Sequence, residues 1–219
     1  MTGKFVSIEH TQPTMNQTRW LALMQRLGFD QNQESFIALT AAYQQRHRHY
    51  HSSEHIDACL HHLDRVSEQC QERDEMELSL WFHDAIYKPF SSRNEEESAD
   101  WAVTFLQQNG ADAERCQRVR DLILATCHNA APEPGDQALL VDIDLTILGA
   151  SPSAYAEFER NVRREYRWVP GWLYRRKRAG LLRGFLERTR IYANEPFFSE
   201  REASARQNLE RAITELEPG

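Results

Sequence analysis

His83 and Asp84 stand side by side in the run LSLWFHDAIY. A neutral imidazole nitrogen and a carboxylate oxygen are both ordinary ligands for a divalent metal. Consecutive side chains on a helix point about 100° apart, so both can reach one ion at a helix edge. Partners lie on either side: His51 and His55 upstream, Asp142 and Asp144 downstream. Alone, a His-Asp pair reads as a chance dipeptide with its Asp on a solvated face. Its neighbours make metal ligation the better reading.

The elements that must position these residues are helical nearly throughout. A first helix is expected from about Asn16 to Leu27, closed by Gly28, and a second over about 33–48. Ser52 reads as the N-cap of a helix striped by Ile56, Leu60, Leu63 and Val66. Asp74 and Glu77 read as a capping box before the His-Asp helix, which must stop near Tyr87 because Pro89 follows. Asn94 or Ser92 caps the next helix, ended by Gly110, and a further one carries His128 at its C-terminal end. Residues 137–149 are expected as a helix ending at Gly149, and Tyr155, Phe158, Val162 and Tyr166 stripe another. Pro170-Gly171 breaks the pattern before two last helices over about 172–190 and 199–216. Period-two strands are absent. The expected fold is all-α, an irregular multi-helix bundle.

Taken in order, YHSSEHI, FHDA and DIDL each fall on their own expected helix, and Asn94, Glu95, Ser98 and Ala99 lie between the last two. This set resembles the HD superfamily of metal-dependent phosphohydrolases, closest to its small all-helical bacterial members. The motifs span residues 47–149, and RREY and RQNL in the tail resemble the same subgroup less specifically. The resemblance implies a single HD-type domain over 1–219, with C-terminal helices over 153–216 packing on the motif core. It also implies hydrolysis of a phosphate ester or anhydride, in a nucleotide or similar small metabolite.

The ligand set that follows is His55, His83, Asp84 and Asp144. His55 is preferred to His51 because the family pattern puts the ligand immediately before the apolar stripe; His51 then faces substrate or supports a ligand. Six of nine histidines fall between 47 and 62, so some are surface residues, His61 and His62 first among them. Asp144 lies on the stripe of Leu140, Ile147 and Leu148, where a carboxylate is costly unless paired or metal-bound. Asp142 is kept as an orienter of the site. Two His and two Asp suit Mn, Mg, Fe, Co, Ni or Zn, with no choice among them.

For catalysis, Asp84 is expected to position or deprotonate the attacking water, and His128 to donate a proton, hold a second metal or contact phosphate. The competing reading of His128 is an imidazole meeting a helix dipole. Lys88 and Arg93, in the loop KPFSSRN, and Asn94 at the next helix start are expected to meet the substrate phosphate, as is His51. The competing reading of the two cations is solvated loop charge. Arg163, Arg164, Tyr166 and Arg178 are weaker candidates.

Composition limits the alternatives. Hydrophobic residues make up 41% and charged ones 27%, as in a soluble globular protein. A net charge of −7 disfavours a general nucleic-acid binder, although residues 160–190 carry eleven Arg or Lys against two Glu. No stretch reaches membrane-spanning length, and MTGKFVSIEH lacks the apolar core of a secretory signal. Four cysteines without a CxxC pair read as reduced thiols in a cytoplasmic protein. The expected partner is a small phosphorylated molecule, with no membrane and no specific nucleic acid; a homodimer is left open. No P-loop, dinucleotide fingerprint or nucleophile elbow is present, and Tyr and Trp read mostly as core. Two other functions compete: a di-iron oxygenase on the same fold, and a binding module that has lost activity.

Overall fold

A computed structural model describes residues 15–217. The run MTGKFVSIEH lies outside them. The described residues form ten α-helices and two short 3₁₀ turns and no strand, so the chain is all-α.

Helix α4 (Arg73–Phe82) is the hub, and it packs against α1 (Gln17–Leu27), α3 (Ser53–Arg65), α5 (Asn94–Gln108), α6 (Ala113–Ala125) and α7 (Asp136–Asp144). Every residue from Glu75 to Phe82 is buried, so α4 has no solvated face over those two turns. Its two buried carboxylates are neutralised by arginines from neighbouring helices. Glu77 accepts from Arg19 and Arg26 at 2.8 and 2.7 Å, and Glu75 from Arg118 at 2.7 and 2.8 Å and Arg115 at 3.2 Å. Glu77 is therefore not part of a capping box. The helix starts at Arg73 behind Glu72, which leaves Asp74 inside the first turn.

Trp20 of α1 meets the edge of Trp81 of α4 at 5.5 Å and packs with Phe82 and Phe105 of α5. From there one continuous apolar core reaches Leu209 and Ala212 of α10 (Phe197–Leu216), including Tyr155, Phe158 and Val162 of α8 (Pro152–Glu165). Helix α10 packs on α9 (Gly171–Leu186) and on the 3₁₀ turn Leu145–Gly149 that continues α7. Trp168 and Trp172 depart from the core reading of the aromatics: they are exposed, as is Phe90.

Two boundaries differ from expectation in a way that shapes the site. Helix α2 (Gln33–Tyr43) stops five residues early, where the buried Tyr43 hydroxyl donates to the Trp81 carbonyl. The following segment crosses the end of α4. There Arg48, 6% exposed, donates to the carbonyls of Asp84 and Ala85 at 2.6 and 2.8 Å. Helix α4 ends at Phe82 and not near Tyr87, because the Leu80 carbonyl faces His83 Nδ1, the Trp81 carbonyl takes the Tyr43 hydroxyl, and the Ile86 N–H donates to the Ser98 hydroxyl. His83 is its C-cap, and Asp84 begins the turn beyond it.

All four cysteines are free, with Cys59 and Cys116 buried. Among the described residues, no helix is long and apolar enough to cross a membrane.

Candidate metal centre

Each candidate ligand sits at the end of a helix. His55 lies in the first turn of α3, His83 caps α4, Asp84 follows it, and Asp144 is the last residue of α7. Ser52 precedes α3 as its N-cap, although its side chain makes no capping bond. The C-termini of α4 and α7 bring the negative ends of two helix dipoles to one point, which favours a cation there.

His55, His83 and Asp144 place ligand atoms within 4.8 Å of one another. The two Nε2 atoms face each other at 3.2 Å. Asp144 Oδ1 lies 3.1 Å from His55 Nε2 and 3.6 Å from His83 Nε2. Asp84 Oδ2 reaches the same nitrogens, at 3.6 and 3.3 Å respectively. His83 Nδ1 is 3.0 Å from the Leu80 carbonyl, an acceptor, so this nitrogen carries a proton. In the neutral ring, Nε2 is then a lone pair aimed at two carboxylates and a second imidazole. Acceptors facing acceptors need a positive charge between them, supplied by a proton or a metal. The residues present therefore fit a divalent ion.

The electrostatics agree. Burial opposes charge on His83, but the neighbouring Asp84 and Asp144 outweigh it and hold the ring well above the usual imidazole range. Burial likewise opposes ionisation of Asp84 and Asp144, yet the histidines keep both carboxyls below the usual carboxylate range. Beside them the Cys59 thiol, 3.7 Å from His55 Nε2, is pushed well up by burial and by the same two carboxylates. It packs as a neutral group.

The cluster forms one end of a cavity of about 310 Å³, within the range of small-molecule sites. His51, His128, Asn94, Tyr166 and Arg178 line it too. A larger cleft of about 640 Å³ lies between α8, α9 and α10, but it contains none of the cluster.

The other expected residues fare differently. His128 stands three positions beyond α6, in left-handed backbone at φ 55°, a conformation uncommon outside glycine. Its Nε2 is 3.1 Å from Asp144 Oδ2, and its Nδ1 is buried without a partner. The ring therefore contacts Asp144 through Nε2, while its Nδ1 makes no hydrogen bond to the described residues. Asp142 is not an orienter of the cluster. Both its oxygens are taken by the Ala193 and Asn194 main-chain N–H groups and the Asn194 amide, at 2.7–2.9 Å.

Lys88 and Arg93 are exposed and do not line the cavity. Lys88 pairs with Glu97, and Arg93 with Glu96, so the acidic first turn of α5 absorbs both loop cations. Asn94 does line the cavity, but its amide also pins the loop, accepting from the Lys88 N–H and donating to the Lys88 carbonyl at 3.0 Å each. The cation on the cavity wall is Arg178 of α9, held by Glu159 of α8 at 2.7 and 3.1 Å over the Phe158 ring. His61 is exposed as expected, whereas His62 packs against Phe197 with a buried, unpartnered Nδ1.

Sequence reasoning missed Glu165. It is the last residue of α8, 4% exposed, and its carboxylate accepts from His51 Nδ1 at 2.7 Å. Only its place on the inner side of an amphipathic helix marked it. No protein-family model, curated protein or solved structure matches the chain, so the reading of the site rests on its own geometry.

Proposed function

We propose that the chain is a metal-dependent phosphohydrolase acting on a phosphate ester or anhydride of a small, nucleotide-sized metabolite in the cytoplasm. The observation that carries this reading is the convergence of the ligand atoms of His55, His83, Asp84 and Asp144 on one point.

A divalent ion held by these four residues would polarise a phosphoryl oxygen and acidify water. The chain supplies the rest. Asp84 uses Oδ2 on the two imidazoles, and its Oδ1 has no hydrogen-bond partner among the described residues. That oxygen accepts a hydrogen bond from the attacking water and takes its proton as the water oxygen bonds to phosphorus. The leaving oxygen departs with the electrons of its P–O bond and is protonated by solvent. Arg178, pre-positioned by Glu159, meets negative charge on the phosphoryl oxygens. His51 presents its ring to the same cavity. Asn94 fixes the cavity rim by closing the loop from Lys88.

The test is elemental analysis of purified protein, followed by a screen of nucleotides and sugar phosphates across several metals. Phosphate or pyrophosphate release that stops with chelator supports the reading. Turnover that survives complete metal removal contradicts it.

One observation favours a second reading, the di-iron oxygenase. His128 and His55 contact opposite oxygens of Asp144, so His128 and this carboxylate would be the residues to hold a second ion. Two irons per chain with a visible absorption band after aerobic loading, and no phosphate release, would select it.

A further inference from the structure

Glu165 ends α8 and holds no metal-facing position, yet five donors converge on its carboxylate. Oε1 accepts the main-chain N–H groups of His49, Tyr50 and His51 at 2.7, 2.7 and 3.1 Å. Oε2 accepts from His51 Nδ1 at 2.7 Å and from the Tyr87 hydroxyl at 2.8 Å. A buried carboxylate is costly unless its lone pairs are filled, and these donors fill them. They also keep the Glu165 carboxyl ionised: burial pushes its pKa up, but the His51 contact and the main-chain N–H groups bring it down to about 2.

The arrangement leaves His51 little freedom. An ionised carboxylate only accepts, so Nδ1 carries the hydrogen. The ring stacks on Tyr87 at 4.2 Å and 22°, and meets Tyr50 edge-on at 5.0 Å. Its backbone is held through its own N–H and through its carbonyl, which accepts from Arg48 at 3.1 Å. The remaining nitrogen, Nε2, has no hydrogen-bond partner among the described residues, and His51 lines the cavity that contains the metal-ligand cluster.

We propose that Glu165 is a positioning residue. It locks His51 in the Nδ1–H tautomer and in one orientation, so that Nε2 is delivered to the substrate as a hydrogen-bonding atom. Tyr87 completes the lock by donating to the same carboxylate oxygen and bracing the ring face. The consequence for turnover rests on the phosphohydrolase reading. The tautomer itself does not.

Glu165→Gln separates the two. The glutamine is isosteric, and its carbonyl oxygen can keep the three main-chain N–H groups. Its amide hydrogens then face His51 Nδ1 and donate to it, which reverses the tautomer. The readout is the imidazole ¹⁵N spectrum of histidine-labelled, magnesium-loaded protein in alkaline buffer, where the neutral ring is observed, with His51 assigned through His51→Gln.

The expected result is an Nδ1–H ring in the wild type and an Nε2–H ring in Glu165→Gln. Metal content and KM should stay near wild type, and kcat should fall about 10- to 100-fold, as for other groups that orient an active imidazole. Glu165→Asp, which keeps an accepting carboxylate, should restore the tautomer and part of kcat. An Nε2–H ring in the wild type overturns the proposal, and that spectrum decides even if Glu165→Gln does not fold. Unchanged kcat with a reversed tautomer overturns it too. A reversed tautomer in a protein that hydrolyses no phosphate ester upholds the lock and removes the hydrolase reading instead.

Discussion

Arg48 anchors the turn that carries Asp84, donating to the carbonyl of Asp84 at 2.6 Å and to that of Ala85 at 2.8 Å. This contact holds the backbone of that turn, from which Asp84 Oδ2 reaches the imidazoles on both sides of the cluster. The guanidinium fork makes these bonds together with one to the His51 carbonyl, and an ammonium cannot reproduce that geometry.

Arg48→Lys is therefore expected to destabilise the metal-free protein by about 2–3 kcal/mol, the cost of charge-assisted bonds lost in a buried place. Metal affinity should fall with it, because the turn that carries Asp84 loses its anchor. Denaturant unfolding and a metal titration on the same preparation check this. Wild-type stability in the variant would mean that the turn at Asp84 is set by something other than Arg48.

A metal that binds only the folded chain stabilises it by mass action, by about 2.7 kcal/mol at a free concentration one hundred times Kd. Thermal unfolding of the wild type should shift upward with added metal and downward with chelator. In His55→Ala and His83→Ala the shift should vanish while the helical spectrum remains. A full metal-induced shift in either variant would remove that residue from the ligand set.

The all-helical fold and the ligand neighbourhood were legible because both rest on local pattern. Ile56, Leu60 and Leu63 mark the inner face of α3, and His55 precedes them in its first turn. The stripe argument also picked Asp144 over Asp142, and the structure puts Asp144 among the imidazoles and Asp142 on Ala193 and Asn194. What was illegible depends on contacts distant in sequence. Glu165 reaches His51 across 114 positions, and Arg48 reaches Asp84 across 36. The loop cations misled for the opposite reason: Glu96 and Glu97, in the first turn of α5, are close enough to take Arg93 and Lys88 themselves.

Asp142→Asn should separate structure from site. The amide puts an N–H group where a carboxylate oxygen now accepts from Ala193 and Asn194. A loss of about 1–3 kcal/mol is expected from the buried donors left unpaired. Metal content and KM should remain as in the wild type. Loss of metal from a variant that stays folded would return Asp142 to the site.

Arg178 and the loop cations make opposite predictions. Arg178→Met keeps an apolar stem against Phe158 but removes the charge on the cavity wall. It should lower kcat/KM by about 1.5–3 kcal/mol if a charged hydrogen bond to phosphate is lost. The Lys88→Ala, Arg93→Ala double variant should stay within about 0.5 kcal/mol of wild type, because exposed ion pairs contribute little. Steady-state kinetics on one phosphate ester decide between them. A large effect of the double variant with none from Arg178→Met would reverse the assignment.

His62 should make the fold sensitive to acid. Burial is the main cause of its pKa being lowered to about 4, helped by Arg201, Arg65 and His61 and opposed by Glu200. Arg65 and His61 share its helix, whereas Glu200 and Arg201 face it from α10, beside the Phe197 ring. The unfolded chain binds a proton at about pH 6.5, and the folded chain resists it until lower pH. Between those two values the unfolded state therefore holds more protons. This contribution to stability is complete above the unfolded value, and it is lost as pH falls from there toward about 4. In His62→Gln the slope of unfolding free energy against pH across that window should flatten, with little change above it. Denaturant unfolding at several pH values, on metal-free protein so that metal binding at the cluster does not enter, provides the comparison. An identical slope in both proteins would show that His62 takes up its proton in the folded state as readily as in the unfolded one.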